Sequence, residues 1–512
     1  MFARMTGVGI FGLNGVMITV EVDISNGIPA LDIVGLPDTA VRESKERVKA
    51  AIRNTGFEFP CRRITVNLAP ADVKKDGSGL DLPIAVGILA AAGYLGEIDL
   101  AGTVLVGELS LDGQLRRISG VLPMAMMCRE QKIKRMLVPP GNALEARIVE
   151  NVDVLAVDSL MMTLSVLRGE SPGLVVPENT ETVTAGGGMD DFRDVQGQFA
   201  AKRALEIAAA GSHNVLLSGP PGAGKTMLAR RISSILPAMT TEEALEVSKI
   251  ASVAGMTGSA GGLVASRPFR APHHTVSAAA MAGGGRIPRP GEVTLAHHGV
   301  LFLDELPEFP RQVLEVLRQP IEDGQVSVAR VNASFTYPSR FMLICGMNPC
   351  PCGYFGDQLR ECTCTETEIK RYMRRISGPL MDRIDMHVMV PRLKYEEMAG
   401  SATMENSAAI ACRVAEARLR QAKRLKGLGV FCNAQMNHRQ LRTSCCIDLS
   451  AQELLRQAFE KMHLNARSYD RIIKVAQTVA DLAGDDVIGA NHMAEAIQLR
   501  LSLTENGRPK LH

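Results

Sequence analysis

Eight residues near the middle of the chain have the types and spacing of a phosphate-binding loop. They follow an apolar run at 214–218, precede a helical pattern at 227–232, and read Gly219-Pro220-Pro221-Gly222-Ala223-Gly224-Lys225-Thr226. Glycines let successive backbone N–H groups turn toward a phosphate chain, and the N-terminus of the next helix adds partial positive charge. The loop therefore predicts nucleoside triphosphate binding, with Lys225 at the β- and γ-phosphates and the Thr226 hydroxyl on Mg²⁺.

Two later apolar runs end in polar side chains that suit ATP hydrolysis. Residues 299–303 lead into Asp304 and Glu305. We expect Asp304 to hold the same Mg²⁺ and Glu305 to orient or deprotonate the attacking water. Residues 341–347 lead into Asn348. In ring-shaped ATPases an asparagine at such a strand end senses the γ-phosphate, although an asparagine that only caps a strand has the same signature.

Arginines further along the chain are candidates for the negative charge that develops during phosphoryl transfer. Arg383 fits an arginine finger that reaches the nucleotide of a neighbouring subunit, because a planar and permanent cation suits that charge. A salt bridge with an adjacent aspartate is the alternative. Arg467 or Arg471, at the start of a predicted C-terminal helix, could fold back over the phosphates, and Arg467 is the preferred candidate.

Four of the eleven cysteines are paired two by two across a short loop, within the segment 348–366. They are Cys350, Cys352, Cys362 and Cys364. Four thiolates can complete a tetrahedral Zn²⁺ site, so we predict a structural zinc; four ordinary reduced cysteines near a turn are the alternative. No secretion signal precedes the first predicted strand, so a reducing, cytoplasmic location is expected.

Length and composition describe a multidomain globular protein. The chain has 512 residues, with 46% hydrophobic and 22% charged residues and a net charge of only +2. No apolar run reaches the roughly 18 residues of a membrane helix, so no membrane partner is expected. The predicted fold class is α/β, with segments in this order: an α/β domain at 1–170, a linker at 171–190, a parallel-sheet core at 191–392 and a helical region at 393–512.

Local patterns place several elements within these domains. A helix is predicted at 38–55, with Val41, Val48, Ala51 and Ile52 on one face. Strands are predicted at 18–24, 63–68, 104–107 and 135–139, and C-terminal helices at 408–425, 451–462, 469–482 and 490–501.

Together the loop, the strand ends and the arginines resemble an AAA+ ATPase of the magnesium-chelatase-like branch, and more narrowly the ComM/YifB family. The marker segments are 34–38, 74–83, 267–275, 348–353 and 375–380. This resemblance implies a P-loop AAA+ core over 191–392 and a helical lid over 393–512. It also implies ATP and Mg²⁺ as cofactors, homohexameric rings, and action on branched or duplex DNA. The role best described for the family is branch migration during integration of transforming DNA.

The first domain resembles the Lon-type (S5-type) proteolytic fold at 75–77 and 107–109. Lon-like proteases use a serine nucleophile that a lysine activates. Gly79 stands at the serine position and Arg116 at the lysine position, while Ser78 lies one position early. A guanidinium group does not release its proton near neutral pH, so we expect a non-proteolytic domain.

Three kinds of segment are candidates for DNA contact. A Gly- and Ala-rich insert at 252–285 could line a pore, and the candidate side chains in it are Arg267, Arg270, His273 and His274. A predicted hairpin at 325–332 carries Arg330, and basic runs lie at 370–375 and 418–426, although such runs are usually solvated helix faces. The alternative functions are a magnesium-chelatase-type subunit, which requires partner subunits and a porphyrin, and an ATP-dependent Lon-like protease.

Overall fold

The computed structural model divides into two compact units. The first comprises Met1–Ala185, Thr240–Ser266 and Gly285–Pro290, and the second comprises Gly186–Met239, Arg267–Gly284 and Gly291–His512. The structure describes residues 1–75, 77–96, 98, 100–176, 190–257, 262–284, 289–330, 333–357, 359–393, 404–462 and 464–501, with backbone alone at 329, 330, 333 and 501. Most of the predicted linker at 171–190 lies outside these residues, and the predicted insert at 252–285 is shared between the two units.

The first unit is built on a four-stranded mixed sheet. In spatial order its strands are Phe2–Phe11, Asn14–Ser25, Arg63–Ala69 and Ala30–Val34. The first three are antiparallel to their neighbours and the last pair is parallel. Alternate side chains of the second strand are buried, as the apolar alternation at 18–24 predicted. A second, parallel sheet has three strands, Thr103–Leu105, Arg135–Val138 and Asp153–Ala156. A short antiparallel ladder pairs Glu108–Leu109 with Leu115–Arg116.

Two helices account for most of the core of this unit. The helix Thr39–Asn54 begins at an Asp38 cap, whose carboxylate accepts a hydrogen bond from the Val41 backbone at 2.8 Å. Its buried face carries the four apolar residues predicted from the sequence. The helix Asp81–Ala91 is buried on nearly every side. The remaining helices of the unit are Val121–Glu130, Pro140–Ala146, Leu160–Leu167 and Thr241–Val253.

The second unit contains the predicted parallel sheet, which has five strands. In spatial order they are Phe269–Arg270, Val300–Leu303, Met342–Met347, Val215–Ser218 and Met386–Met389. Val215–Ser218 is the first of these strands in the chain, and it lies between Met342–Met347 and Met386–Met389, the last two in the chain. All the pairings are parallel. Ligands of open parallel sheets bind outside the carboxyl ends of the strands, where the strand order reverses. The sheet thus brings the predicted polar strand ends to one edge.

Helices surround this sheet and share its hydrophobic core. The C-terminal helices Ser407–Arg424, Leu449–Met462, Ala466–Ala483 and Ala490–Leu501 confirm the predicted ones, with each boundary within three residues. The helix His438–Ser444 was not predicted. The other helices are Phe199–Gly211, Lys225–Arg231, Ala278–Ala282, Glu292–Leu295, Arg311–Val316, Arg318–Asp323, Glu366–Met373 and Gly378–Met381. A hairpin joins Gln325–Arg330 to Ala333–Pro338. Across the described residues, no helix is both long and apolar enough to span a membrane.

Candidate functional site

The predicted phosphate-binding loop connects the strand Val215–Ser218 to the helix Lys225–Arg231. Gly219 has no room for a side chain, because an added Cβ atom would lie 2.1 Å from the carbonyl oxygen of Val390. Gly222 and Gly224 have φ angles of +79° and +89°, a conformation that favours glycine. The loop geometry therefore fits the close approach of a phosphate chain to the backbone.

The ammonium group of Lys225 is held inside this loop. Its Nζ atom donates hydrogen bonds to the carbonyl oxygens of Gly219 at 2.7 Å and Pro220 at 3.0 Å. It also donates to Oδ1 of Asn348 at 3.1 Å. Burial lowers the pKa of Lys225, and nearby carboxylates oppose that shift. The structure thus brings two predicted site residues together at the loop.

Thr226 and Asp304, the predicted Mg²⁺ ligands, are in direct contact. The Thr226 hydroxyl donates to Oδ2 of Asp304 at 2.5 Å, and Oδ1 accepts from the Glu305 backbone at 3.0 Å. Hydroxyl and carboxylate oxygens are the hard ligands that Mg²⁺ prefers. The arrangement also requires Gly346, where an added Cβ atom would lie 2.6 Å from Oδ1 of Asp304. Gly346 was not among the predicted site residues, although a glycine inside an apolar strand is a signal of close approach.

The carboxylate of Glu305 faces an imidazole ring. Glu305 has a left-handed φ of +53°, and its Oε2 atom lies 3.5 Å from Nδ1 of His274. The His274 ring packs edge-on against Phe309, with centroids 6.4 Å apart. The adjacent His273 instead shares a hydrogen bond with Thr275 at 3.0 Å. From the sequence, both histidines were candidates for DNA contact within the insert, and no contact of His274 with Glu305 was predicted.

The two predicted arginines converge on Glu322, a residue that the sequence analysis missed. The Arg383 guanidinium donates to the Glu322 carboxylate and, at 2.8 Å, to the Pro379 carbonyl oxygen. Nη2 of Arg467 lies 3.6 Å from Oε1 of Glu322. Among the described residues, neither arginine makes a hydrogen bond or ion pair with the phosphate-binding loop. Their roles at a nucleotide stay predictions.

A buried network fixes the backbone next to Arg383. Asp385 accepts hydrogen bonds from the Asn214 backbone at 2.9 Å and from the Arg471 guanidinium, and Arg471 also donates to the Arg383 carbonyl oxygen at 2.7 Å. Nδ1 of His213 lies 3.7 Å from Asp385. Burial favours the neutral acid, but Arg471 and His213 hold the pKa of Asp385 well below its usual range. Arg471 therefore serves this network.

The four paired cysteines form one cluster. Sγ of Cys350 lies 3.3 Å from Sγ of Cys352 and 3.6 Å from that of Cys362, and the sulfurs of Cys352 and Cys362 are 3.5 Å apart. All four sulfurs, including that of Cys364, lie within 4.8 Å of one another. Sulfurs bound to zinc at about 2.3 Å in a tetrahedron are about 3.8 Å apart, so the cluster fits zinc. Burial raises the pKa of Cys352, but hydrogen bonds from backbone N–H groups and from the Cys350 and Cys364 thiols outweigh burial and lower the pKa to about 6.

The cysteine loop packs against the phosphate-binding loop. An added Cβ atom at Gly353 would lie 2.5 Å from the Pro221 ring, so only glycine allows this approach. Arg392 donates to the Pro221 carbonyl oxygen at 3.3 Å, and its guanidinium lies 5.2 Å from the centre of the Tyr354 ring. A metal held by the four sulfurs would therefore brace the loop that is predicted to bind phosphate.

In the first unit, Ser78, the serine next to the Lon-type nucleophile position, contacts a carboxylate. The Ser78 hydroxyl donates to the Glu108 carboxylate, and Arg116 lies opposite Glu108 in the two-residue ladder. Lys75 is buried and donates to a backbone carbonyl oxygen, while Asp76 lies outside the described residues. Ser78 thus contacts a carboxylate where a serine protease of this type has an amine.

The arginines of the insert are engaged within the second unit. Arg270 makes a two-pronged ion pair with Glu292, at 2.7 and 2.8 Å. Arg267 donates to three backbone carbonyl oxygens, at 2.7, 2.8 and 3.2 Å. The predicted hairpin is present, but the side chain of Arg330 lies outside the described residues. These contacts give Arg267 and Arg270 structural partners in place of solvent.

Comparison with known protein families gives three matches. The family model described as "Magnesium chelatase, subunit ChlI" matches residues 191–398. The model described as "Subunit ChlI of Mg-chelatase" matches residues 20–142, and the one described as "Magnesium chelatase, subunit ChlI C-terminal" matches residues 404–500. Similarity to magnesium-chelatase subunits therefore extends over both units.

Curated proteins from several bacteria are similar over almost the whole chain. The chain is 43% identical to "Uncharacterized protein YifB" of Salmonella typhimurium, over 96% of this chain and 95% of that protein. It is 41% identical to "Competence protein ComM" of Haemophilus influenzae, over the same shares of the two chains. A partial similarity, 32% identity over 33% of each chain, relates it to "Lon protease 2" of Bacillus subtilis.

Proposed function

Because the chain belongs to the ComM/YifB family of magnesium-chelatase-like AAA+ ATPases, we propose that it is an ATP-driven motor that acts on branched or duplex DNA. Its similarity to a competence protein over nearly its whole length carries this proposal. The family resemblance adds a homohexameric ring and branch migration in recombination or natural transformation. The contacts of Lys225 with Asn348 and of Thr226 with Asp304 support the ATPase part.

The nucleotide chemistry follows from the positions of these side chains. ATP with Mg²⁺ supplies the phosphoryl group whose transfer drives the motor. Lys225 offers a cation to the phosphates, and Asn348 orients that cation. Thr226 and Asp304 offer adjacent oxygens to Mg²⁺. Glu305, at the same edge of the sheet, orients the attacking water.

The arginine finger requires a second copy of the chain. In the ring, Arg383 leaves Glu322 and reaches the nucleotide of the neighbouring copy, and Arg467 closes over the phosphates of its own copy. The Asp385 network holds the backbone at Arg383, so the movement is confined to the side chain. Glu322 is then the carboxylate that holds both guanidinium groups when they are not at a nucleotide.

Strand displacement from a labelled four-way or forked DNA tests the motor. Wild-type protein with ATP and Mg²⁺ is expected to move the labelled strand, and the Glu305→Gln protein is expected to bind the DNA without moving it. The Arg383→Ala protein is expected to assemble but to hydrolyse ATP slowly. Wild-type protein that hydrolyses ATP and binds DNA, but never moves a strand, would refute the motor.

A magnesium-chelatase-type subunit is the second candidate, because three chelatase family models match the chain. Stimulation of the ATPase by chelatase partner subunits and a porphyrin, with no response to DNA, would favour this candidate. For the Lon-like protease, the Ser78 hydroxyl contacts the Glu108 carboxylate and not the lysine amine that activates the serine in such enzymes.

A further inference from the structure

We propose that an arginine-lined cavity in the second unit binds phosphate groups of the DNA backbone, an inference that rests on the proposed action on DNA. The cavity has a volume of about 380 Å³. Its walls are the turn that follows Glu305 and four arginines, Arg311, Arg371, Arg374 and Arg375. The basic run at 370–375 was recognised from the sequence, but its convergence with Arg311 was not predicted.

Positive charge in this cavity exceeds negative charge. Its lining carries four guanidinium groups and one carboxylate, that of Glu308. Arg375 is ion-paired with Glu308 at 2.8 Å; for Arg311, Arg371 and Arg374 the described part of the chain shows no ion pair. Arg371 and Arg374 are three residues apart and therefore adjacent on the helical surface, where like charges repel. A bound anion would relieve this repulsion.

The chemistry of the lining favours phosphate and the backbone of a nucleic acid over its bases. The planar guanidinium fork matches phosphate oxygens in pairs. The aromatic residues next to the arginines, Phe309 and Tyr372, are buried and present no free face on which a base could stack. Contacts to phosphate alone carry no sequence information, which suits a motor that moves along any DNA.

The cavity adjoins the predicted catalytic residues. The turn Leu306–Glu308 directly follows Glu305, and Arg375 contacts it through both the Glu308 carboxylate and the Pro307 carbonyl oxygen. A phosphate that draws Arg375 away from Glu308 therefore acts on the segment that carries Glu305. We infer that DNA bound here stimulates ATP hydrolysis through this turn.

The test compares two double variants of the full chain with wild type. Arg371→Ala with Arg374→Ala removes two cavity arginines. The control, Arg439→Ala with Arg442→Ala, removes two exposed arginines with the same spacing from the helix His438–Ser444, which is outside the segments considered for DNA contact. Binding of a fluorescent duplex is measured over a series of salt concentrations, and ATPase activity is measured with and without that duplex. The association constant K for the duplex falls as salt rises, and each lost phosphate contact reduces the magnitude of the slope of log K against log salt by about 0.9.

In the cavity variant, we expect the magnitude of the slope of log K against log salt to decrease by about two. We also expect DNA to stop stimulating ATP hydrolysis, while the ATPase activity without DNA stays unchanged. The control variant should keep both properties. Unchanged DNA binding by the cavity variant overturns the inference; if its basal ATPase then falls, the arginines serve the phosphates of a neighbouring copy's nucleotide. Equal competition by tripolyphosphate and by duplex, at equal phosphate concentration, would assign a free-anion site. If wild-type protein binds no DNA, the proposed function fails instead.

Discussion

Replacing His274 with alanine is expected to lower the kcat for ATP hydrolysis while the KM for ATP stays unchanged. The His274 imidazole lies 3.5 Å from the Glu305 carboxylate, and Glu305 is the residue that we propose orients the attacking water. Glu305 is held in a left-handed backbone conformation, with its side chain extending into a half-exposed space. Removing the ring therefore leaves the carboxylate free to sample other orientations.

The size of the effect follows from the exposure of the pair. The His274 side chain is 33% exposed and that of Glu305 is 56% exposed. A polar contact between such exposed groups contributes at most about as much as an exposed ion pair, about 0.2–1 kcal/mol, which corresponds to a decrease of up to about fivefold in kcat. Loss of the general base itself costs about 10²–10⁴-fold. His274→Ala should therefore be far milder than Glu305→Gln.

Steady-state ATPase kinetics over a range of ATP concentrations separate kcat from KM. His273→Ala is the matched control, because the His273 ring shares a hydrogen bond with Thr275 and packs against the His274 ring, and it makes no ion pair with Glu305 among the described residues. His274→Ala is also measured in the Glu305→Gln background, where the charged partner is absent. The effect of the histidine change should then nearly disappear.

Three results would refute this reasoning. An increase in kcat would mean that His274 restrains Glu305 in an inactive orientation. An equal effect of His273→Ala would point to the fold of the loop and not to the contact with Glu305. An undiminished effect in the Glu305→Gln background would show that His274 acts through another group.

The remaining predictions concern the loop, the metal and stability. Lys225→Ala should abolish binding of a fluorescent ATP analogue, because the ammonium group faces the loop. Metal analysis of purified wild-type protein should find about one zinc per chain, and Cys350→Ser with Cys362→Ser should remove it. Asp385→Asn should destabilise the second unit by about 3 kcal/mol, measured as a lower Tm, because the Arg471 guanidinium, whose side chain is only 18% exposed, loses its charged partner. The folded-state pKa of Asp385 is depressed, so its contribution is full above the unfolded pKa of about 3.9 and is lost as the pH falls toward the folded pKa. The two proteins should therefore differ less in Tm in strong acid.

The sequence by itself determined the features that depend on neighbouring residues. The loop Gly219–Thr226 is recognisable because its backbone turns need glycine at fixed spacings, between a strand and a helix. The helix Thr39–Asn54 and the C-terminal helices follow from the period of their apolar residues. The polar strand ends Asp304 and Asn348 could also be identified, because parallel strands place such residues at one edge of the sheet.

Only the tertiary structure decided which distant segments meet. Nothing near His274 in the chain indicates that its ring faces Glu305, and nothing near Glu322 indicates that it holds Arg383 and Arg467. The requirement for glycine at position 346 likewise comes from the carboxylate of Asp304, which follows the neighbouring strand. Such contacts are set by how helices and loops pack around the sheet, and packing joins residues whose local sequence carries no record of their partners.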